Sequence, residues 1–261
     1  MDLGIKNKVY MVAGASTGLG YAIAYRLAAE GGRISIGSRS KKNIIRAATT
    51  ISEETGAEVR GYVFDARDEV SITRWAEQTQ QDFHQVDGVV INAGGPTPGG
   101  FDEFDDTAWQ AAFELTLLSA IRLIRNTLPA LKQRGGSILT LTSSAVKEPV
   151  EILLLSNVMR SGVASLVKSL STDLAKDNIR INNLIPGLID TDRIDALNLF
   201  LGSRTDTSPQ QIRRNAQNNI PMGRYGKPEE FANAAVFLLS DSASYITGTN
   251  MVVDGGKMRS L

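Results

Sequence analysis

The chain has 261 residues, 42% of them apolar and 21% charged, with 28 basic against 28 acidic side chains and no cysteine. That composition supports a large buried core. It leaves no electrostatic footprint for nucleic acid or an anionic membrane, and it excludes disulfides, zinc-thiolate centres and cysteine nucleophiles.

Residues 1–8 carry charge and no apolar stretch, and no run approaches the ~18 apolar residues of a membrane span, so a cytoplasmic chain is expected. A first predicted strand, 9–13, feeds a glycine-rich turn and a helix over 18–30. Strand 34–38 then leads to helix 41–55, strand 59–64 to helix 69–83, and strand 86–91 to helix 107–134. Strand 137–142 precedes helix 155–176, in which Leu155, Met159, Val163, Leu166, Leu170 and Leu174 recur at steps of three or four as one apolar stripe. Strand 179–185, helix 228–240 and strand 250–253 complete the alternation. Short apolar runs without polar alternation, joined by helices, point to a doubly wound α/β fold whose parallel sheet is covered on both faces. The stretch 191–219 shows no clear pattern and follows a strand end, which makes it either a substrate lid or a plain surface insertion.

The first strand runs into Gly14-Ala15-Ser16-Thr17-Gly18-Leu19-Gly20, a GxxxGxG spacing between strand and helix. Glycines there permit a tight turn and close approach of a diphosphate, whose charge is met by amides at the helix start. Gly14, Ser16, Thr17, Gly18, Leu19 and Gly20 are therefore candidate coenzyme-binding residues. Arg39 follows the second strand, where an acidic side chain would hold the ribose of NAD(H), and no Asp or Glu lies between Ile34 and Ile51. A guanidinium beside Ser38, with Lys41 and Lys42 as further donors, suits a 2′-phosphate and favours NADP(H) over NAD(H). The alternative is a solvated basic helix start.

Gly14, Gly18 and Gly20, the Asn92-Ala93-Gly94 turn, Pro186-Gly187 with Thr191, and Ile246-Thr247-Gly248 followed by Asp254-Gly255-Gly256 together resemble the short-chain dehydrogenase/reductase family over nearly the whole chain. Residues 221–230, Pro-Met-Gly-Arg-Tyr-Gly-Lys-Pro-Glu-Glu, are similar to its acyl-carrier-protein ketoreductase branch. The resemblance implies one Rossmann-type domain over 1–261, with seven parallel strands in a three-layer α/β arrangement. It places Asp65 and Ala66 near the adenine and Asn92, Ala93 and Gly94 along the adenosine side. Pro186, Gly187, Ile189 and Thr191 fall near the nicotinamide. Helices 107–134 and 155–176 resemble those that pair across a dimer interface in this family, so a homotetramer is expected.

The catalytic positions depart from the family pattern. Alignment puts Thr116 where members carry an Asn, retains Ser144, and places Ser156 and Arg160 at the positions of the Tyr and Lys of Tyr-x-x-x-Lys; Arg160 is also a candidate for holding the coenzyme ribose. A one-residue slip would substitute Asn157 and Ser161 and would not restore the pair. The six tyrosines are Tyr10, Tyr21, Tyr25, Tyr62, Tyr225 and Tyr245, none of them in that helix. A serine hydroxyl has too high a pKa to replace the phenol as proton donor, and arginine is effectively always protonated. Residues 156 and 160 share a helix face, so Arg160 is placed to steady a developing oxyanion. Lys147 and Glu148, just past Ser144, are either alternative proton donors or solvated loop charges. His84, the only histidine, falls at the wrong end of the sheet for catalysis.

The expected activity is hydride transfer to a carbonyl, or to a conjugated C=C bond, of a small to medium substrate, with a non-standard proton donor. Leu153, Leu154, Leu197, Phe200 and Tyr225 are candidate pocket walls. The competing expectation is a coenzyme-binding protein without turnover, acting as a sensor or partner subunit.

Overall fold

The structure is a computed structural model that describes residues 2–260. Strands β1 (Val9–Ala13), β2 (Arg33–Ser38), β3 (Val59–Val63), β4 (Gly88–Ile91), β5 (Gly136–Leu141), β6 (Ile179–Pro186) and β7 (Asn250–Val253) form one sheet. Its order is β3-β2-β1-β4-β5-β6-β7, and every neighbouring pair is parallel. This is the Rossmann-type α/β arrangement expected from the alternation.

Each strand sends successive side chains to opposite faces, so a strand covered on both sides must be apolar at every position. In β1, Tyr10 and Val12 pack with α1 (Gly18–Ala29), α2 (Lys41–Thr55) and α9 (Pro228–Leu239). Met11 and Ala13 pack on the other face with α3 (Glu69–Phe83), α5 (Ser119–Leu131) and α6 (Leu154–Ala175). Three layers follow from that alternation.

Two stretches differ from the sequence expectation. The helix expected over 107–134 is α4 (Asp106–Ala112), a π-helical segment Phe113–Leu118, and α5, and it ends at Leu131 before Gly135 and Gly136. Segments of this kind recur at functional sites, and Thr116 lies in this one. Residues 191–219 are helical, forming α7 (Asp192–Thr205) and α8 (Pro209–Asn218), the latter begun by the Ser208 side chain accepting from the Gln211 amide and by Pro209 in its first turn. Among the described residues no helix is long and apolar enough to cross a membrane.

The order reverses between β1 and β4, which opens a crevice beyond their carboxyl ends. A fully buried side chain, Asn183 on β6, holds the adjoining edge of that crevice. Its Oδ1 accepts from the hydroxyls of Thr140 and Thr142, both at 2.9 Å, and its Nδ2 donates to Asn250 Oδ1 at 2.8 Å, tying β5, β6 and β7 together. Asn183→Leu leaves the Thr142 hydroxyl without its acceptor and the Thr140 hydroxyl with only the Asn182 carbonyl at 3.4 Å, in an apolar setting. The expected loss is about 1–3 kcal/mol, read as a Tm several degrees lower. An unchanged melting curve would show that the network contributes nothing.

Candidate active site and dinucleotide cleft

Gly14 and Gly18 both take φ of +62°, the left-handed region, so the chain can turn from β1 into α1. A Cβ at Gly20 would overlap the Gly14 carbonyl oxygen, which fixes that position as glycine for a spatial reason. The side chain of Thr17 does not cap α1, leaving the first-turn amides over Gly18, Leu19 and Gly20 without an internal partner. Ser16 and Thr17 stand on the rim. Across the crevice, Asn92 Nδ2 donates to the carbonyls of Ala13 and Gly14, both at 3.3 Å, and clamps the turn after β4 to the glycine loop. Gly94 next to it meets no protein atom where a side chain would start, so it faces open space.

At the end of β2, Ser38 Oγ is buried with no hydrogen-bond partner among the described residues, beside an exposed Arg39. An orphaned buried hydroxyl next to an unpaired guanidinium fits an anionic group of a ligand. Lys41 and Lys42 are exposed on the first turn of α2. Asp65, next to the buried Ala66, is tipped below the usual carboxylate range. Its partial burial opposes ionisation, but the backbone and side chain of Arg67 and the charge of Arg39 outweigh it. The orphaned Ser38, the bare amides and the crowded Gly20 together fit a phosphorylated nicotinamide dinucleotide.

The other end of the crevice is organised by Arg160, 8% exposed on α6. Its Nη1 donates to the carbonyls of Leu141 and Thr142 at 2.9 and 3.2 Å, its Nη2 to Ala93 at 3.4 Å, and its Nε to Ser156 Oγ at 3.2 Å. Ser156 and Arg160 therefore meet, as their spacing of four predicts. Burial, helped by the like charge of Arg193, lowers the Arg160 guanidinium to about 10. It still carries its proton at neutral pH. With Nε donating to it, the Ser156 hydroxyl keeps its own proton for another acceptor. Ser144 opens the short 3-10 turn after β5, its carbonyl bonded by the amides of Lys147 and Glu148 and its hydroxyl without a protein partner among the described residues. Thr116 Oγ1 is likewise buried and unpartnered, on the π-helical segment packed against α6.

Glu148 accepts from the amides of Arg259 and Ser260 at 2.6 and 2.8 Å, which tie it to the C-terminal segment and hold it below the usual carboxylate range, so it has no proton to give at neutral pH. Tyr225 is core, with the Arg213 guanidinium 4.5 Å from its ring centre. Phe200 is half-buried under Arg204, Leu153 bridges to Gly99, and Leu154 and Leu197 are half-buried. His84 ends α3 in a left-handed conformation.

The segment after β6 closes the site. Gly187 packs on Asp254, so Pro186-Gly187 and Asp254-Gly255-Gly256 interlock; Ile189 bridges to Gly226, and Thr191 lies 3.8 Å from where a Gly18 side chain would begin. Sequence reasoning missed Arg193, whose guanidinium lies against Gly95; no local pattern marks it.

A family model described as Enoyl-(Acyl carrier protein) reductase matches residues 14–257. The 3-oxoacyl-(acyl-carrier-protein) reductase of Escherichia coli K12 is 32% identical over 255 residues, 97% of this chain and 98% of that protein. Among solved structures, L-sorbose reductase from Gluconobacter frateurii, complexed with NADPH and L-sorbose, superposes with a TM-score of 0.95 at 32% identity, each chain fully covered. An NADPH-bound short chain oxidoreductase from Pseudomonas aeruginosa PAO1 containing an atypical catalytic center has a TM-score of 0.89 at 28% identity, covering 98% of this chain and all of its own. Matched from its glycine loop to its terminal Asp254-Gly255-Gly256, the chain belongs to the short-chain dehydrogenase/reductase family.

Proposed function

We propose that the chain is an NADP(H)-dependent oxidoreductase that reduces a carbonyl with a Ser-Arg centre in place of the tyrosine-lysine pair. The observation that carries this reading is Arg160, a desolvated guanidinium bonded to Ser156 and three main-chain carbonyls and, among the described residues, paired with no carboxylate. A charge taken out of water without a counter-ion is expensive, and the arrangement gains a purpose when charge develops on a substrate oxygen nearby. The presence of NADPH in the sorbose reductase and Pseudomonas structures, and the atypical centre of the latter, support the same assignment.

In this mechanism the amides of the Gly14–Gly20 loop (residues 14–20) and the positive end of α1 hold the diphosphate, while Ser38 and Arg39 hold the 2′-phosphate. The reduced nicotinamide, when bound, supplies the hydride. Arg160 presents its remaining Nη2 hydrogen to the ribose or the substrate oxygen and stays cationic throughout. Ser144 and Ser156 donate hydrogen bonds to that oxygen, and the proton it finally takes comes from a water molecule, whose hydroxide passes to solvent. Hydride goes to carbon, a proton to oxygen, and no charge accumulates on the protein. Losing a phenol-type acid costs roughly 10²–10⁴ in rate, whereas fixing donor against acceptor supplies up to about 7–11 kcal/mol, so the reaction survives the exchange. Helices α7 and α8 serve as the lid of this site.

Titration calorimetry should show NADPH binding at least about tenfold tighter than NADH, with Arg39→Ala erasing the difference; equal affinities in the wild type would remove the assignment to Arg39. Across a panel of ketones and enones, kcat/KM should be level through neutral pH and fall as pH rises through about 10, where the Arg160 cation is lost. Arg160→Ala should lower kcat by about 10²-fold or more, with Arg160→Lys recovering part. NADPH binding without oxidation by any member of the panel would instead identify a coenzyme-binding protein without turnover.

A further inference from the structure

Arg193 is the second residue of α7, two past Thr191, and its guanidinium reaches over the crevice to lie on Gly95 in the turn after β4. Gly95 does not use the left-handed region, so it is not a glycine for conformational reasons. A Cβ there would overlap the Arg193 guanidinium, and what the glycine provides is room for that group.

Among the described residues this guanidinium has nothing to bind: no acceptor or carboxylate bonds it. Of the acids in the same helical turn, Asp195 is turned to Arg213 at 3.6 Å, and Asp192 makes no ion pair. A cation in the first turn also opposes the helix dipole. Its neighbour across the crevice is a second cation, Arg160, whose protonation it disfavours. Arg193 is solvent-accessible, yet enough protein surrounds it to lower its pKa by desolvation. An accessible, uncompensated guanidinium at the reacting end of a cleft is a group waiting for an anion.

Two anions qualify, the coenzyme diphosphate and an acidic group of the substrate. The glycine loop already offers its bare amides to the diphosphate on the β1 side, and Thr191 faces that loop. Arg193 instead goes to the β4 turn, beside Arg160. A planar fork of donors matches a carboxylate.

We propose that Arg193 is the receptor for a substrate carboxylate, so that the substrate class is oxo acids whose carboxylate lies a few bonds from the reacting carbonyl. The proposal rests on the coenzyme assignment made above, and its test keeps the two apart. The NADP⁺ complex is titrated with 2-, 3- and 4-oxo acids and with their methyl esters, for wild type, Arg193→Ala and Arg193→Lys, with NADP⁺ affinity measured separately for each. At least one oxo acid should bind about tenfold or more tightly than its ester, and that preference should vanish in Arg193→Ala, return in part in Arg193→Lys, and leave NADP⁺ affinity unchanged. Equal binding of acids and esters throughout overturns the proposal. So does a loss of NADP⁺ affinity in Arg193→Ala that matches the loss for acids, since Arg193 would then serve the diphosphate. Failure of the wild type to bind NADP⁺ at all refutes the coenzyme assignment instead.

Discussion

The geometry of the site turns on a guanidinium that is bonded almost entirely by main-chain carbonyls. Arg160 reaches from α6 to the ends of β4 and β5 at once, through Ala93, Leu141 and Thr142, so one side chain sets the distance between the turn after β4, the Ser144 turn and the long helix. Carbonyl dipoles stabilise the cation without neutralising it. A carboxylate partner would anchor the helix as well and would cancel the field in the crevice. The choice of dipoles over charge keeps a positive potential at this end of the crevice, where, in the function proposed above, a substrate oxygen would become negative.

That potential is reinforced by geometry elsewhere in the fold. The strand order reverses at β1 and β4, so the two turns that carry Gly14 and Asn92 diverge, and the Asn92 amide keeps them from separating. Asn183 does the corresponding job between β5, β6 and β7. Both are asparagines bonded to fixed acceptors and donors, which positions backbone without adding charge. The crevice thus has a neutral frame, bare amides at one end and guanidinium groups at the other.

The sheet was legible because burial on both faces leaves a plain signature, a short apolar run such as Val9–Ala13 with no polar alternation. The glycine loop was legible because backbone conformation and crowding leave no residue but glycine at Gly14, Gly18 and Gly20. Helices α7 and α8 were not, since their order comes from docking onto neighbouring loops: α8 is polar, and α7 is held at its end by Arg204 paired with Glu103. The Ser208-Pro209 start signal was present in the sequence and carries little weight without an apolar stripe behind it. The surroundings of Tyr225 and Glu148 were not legible for a related reason. A chain position near a site says nothing of whether the side chain turns inward to Arg213 or outward to the C-terminal segment.

The setting of Arg193 is created by the fold and leaves no trace in the residues around it in the chain. In the sequence Arg193 is one arginine among several in a polar stretch, and the bland expectation is a solvated cation. Its meaning comes from two absences that only a fold can create: no side chain at Gly95, and no carboxylate paired with it among the described residues. Each has an energetic consequence, since glycine loosens a turn and an unpaired cation near a helix start and a second guanidinium is disfavoured. Two unfavourable local choices meeting at one point are hard to reconcile with packing alone, because packing would be improved by reversing either. They are consistent with each other once an anion occupies the gap, and the crevice that encloses them is the one that the sheet topology had already opened.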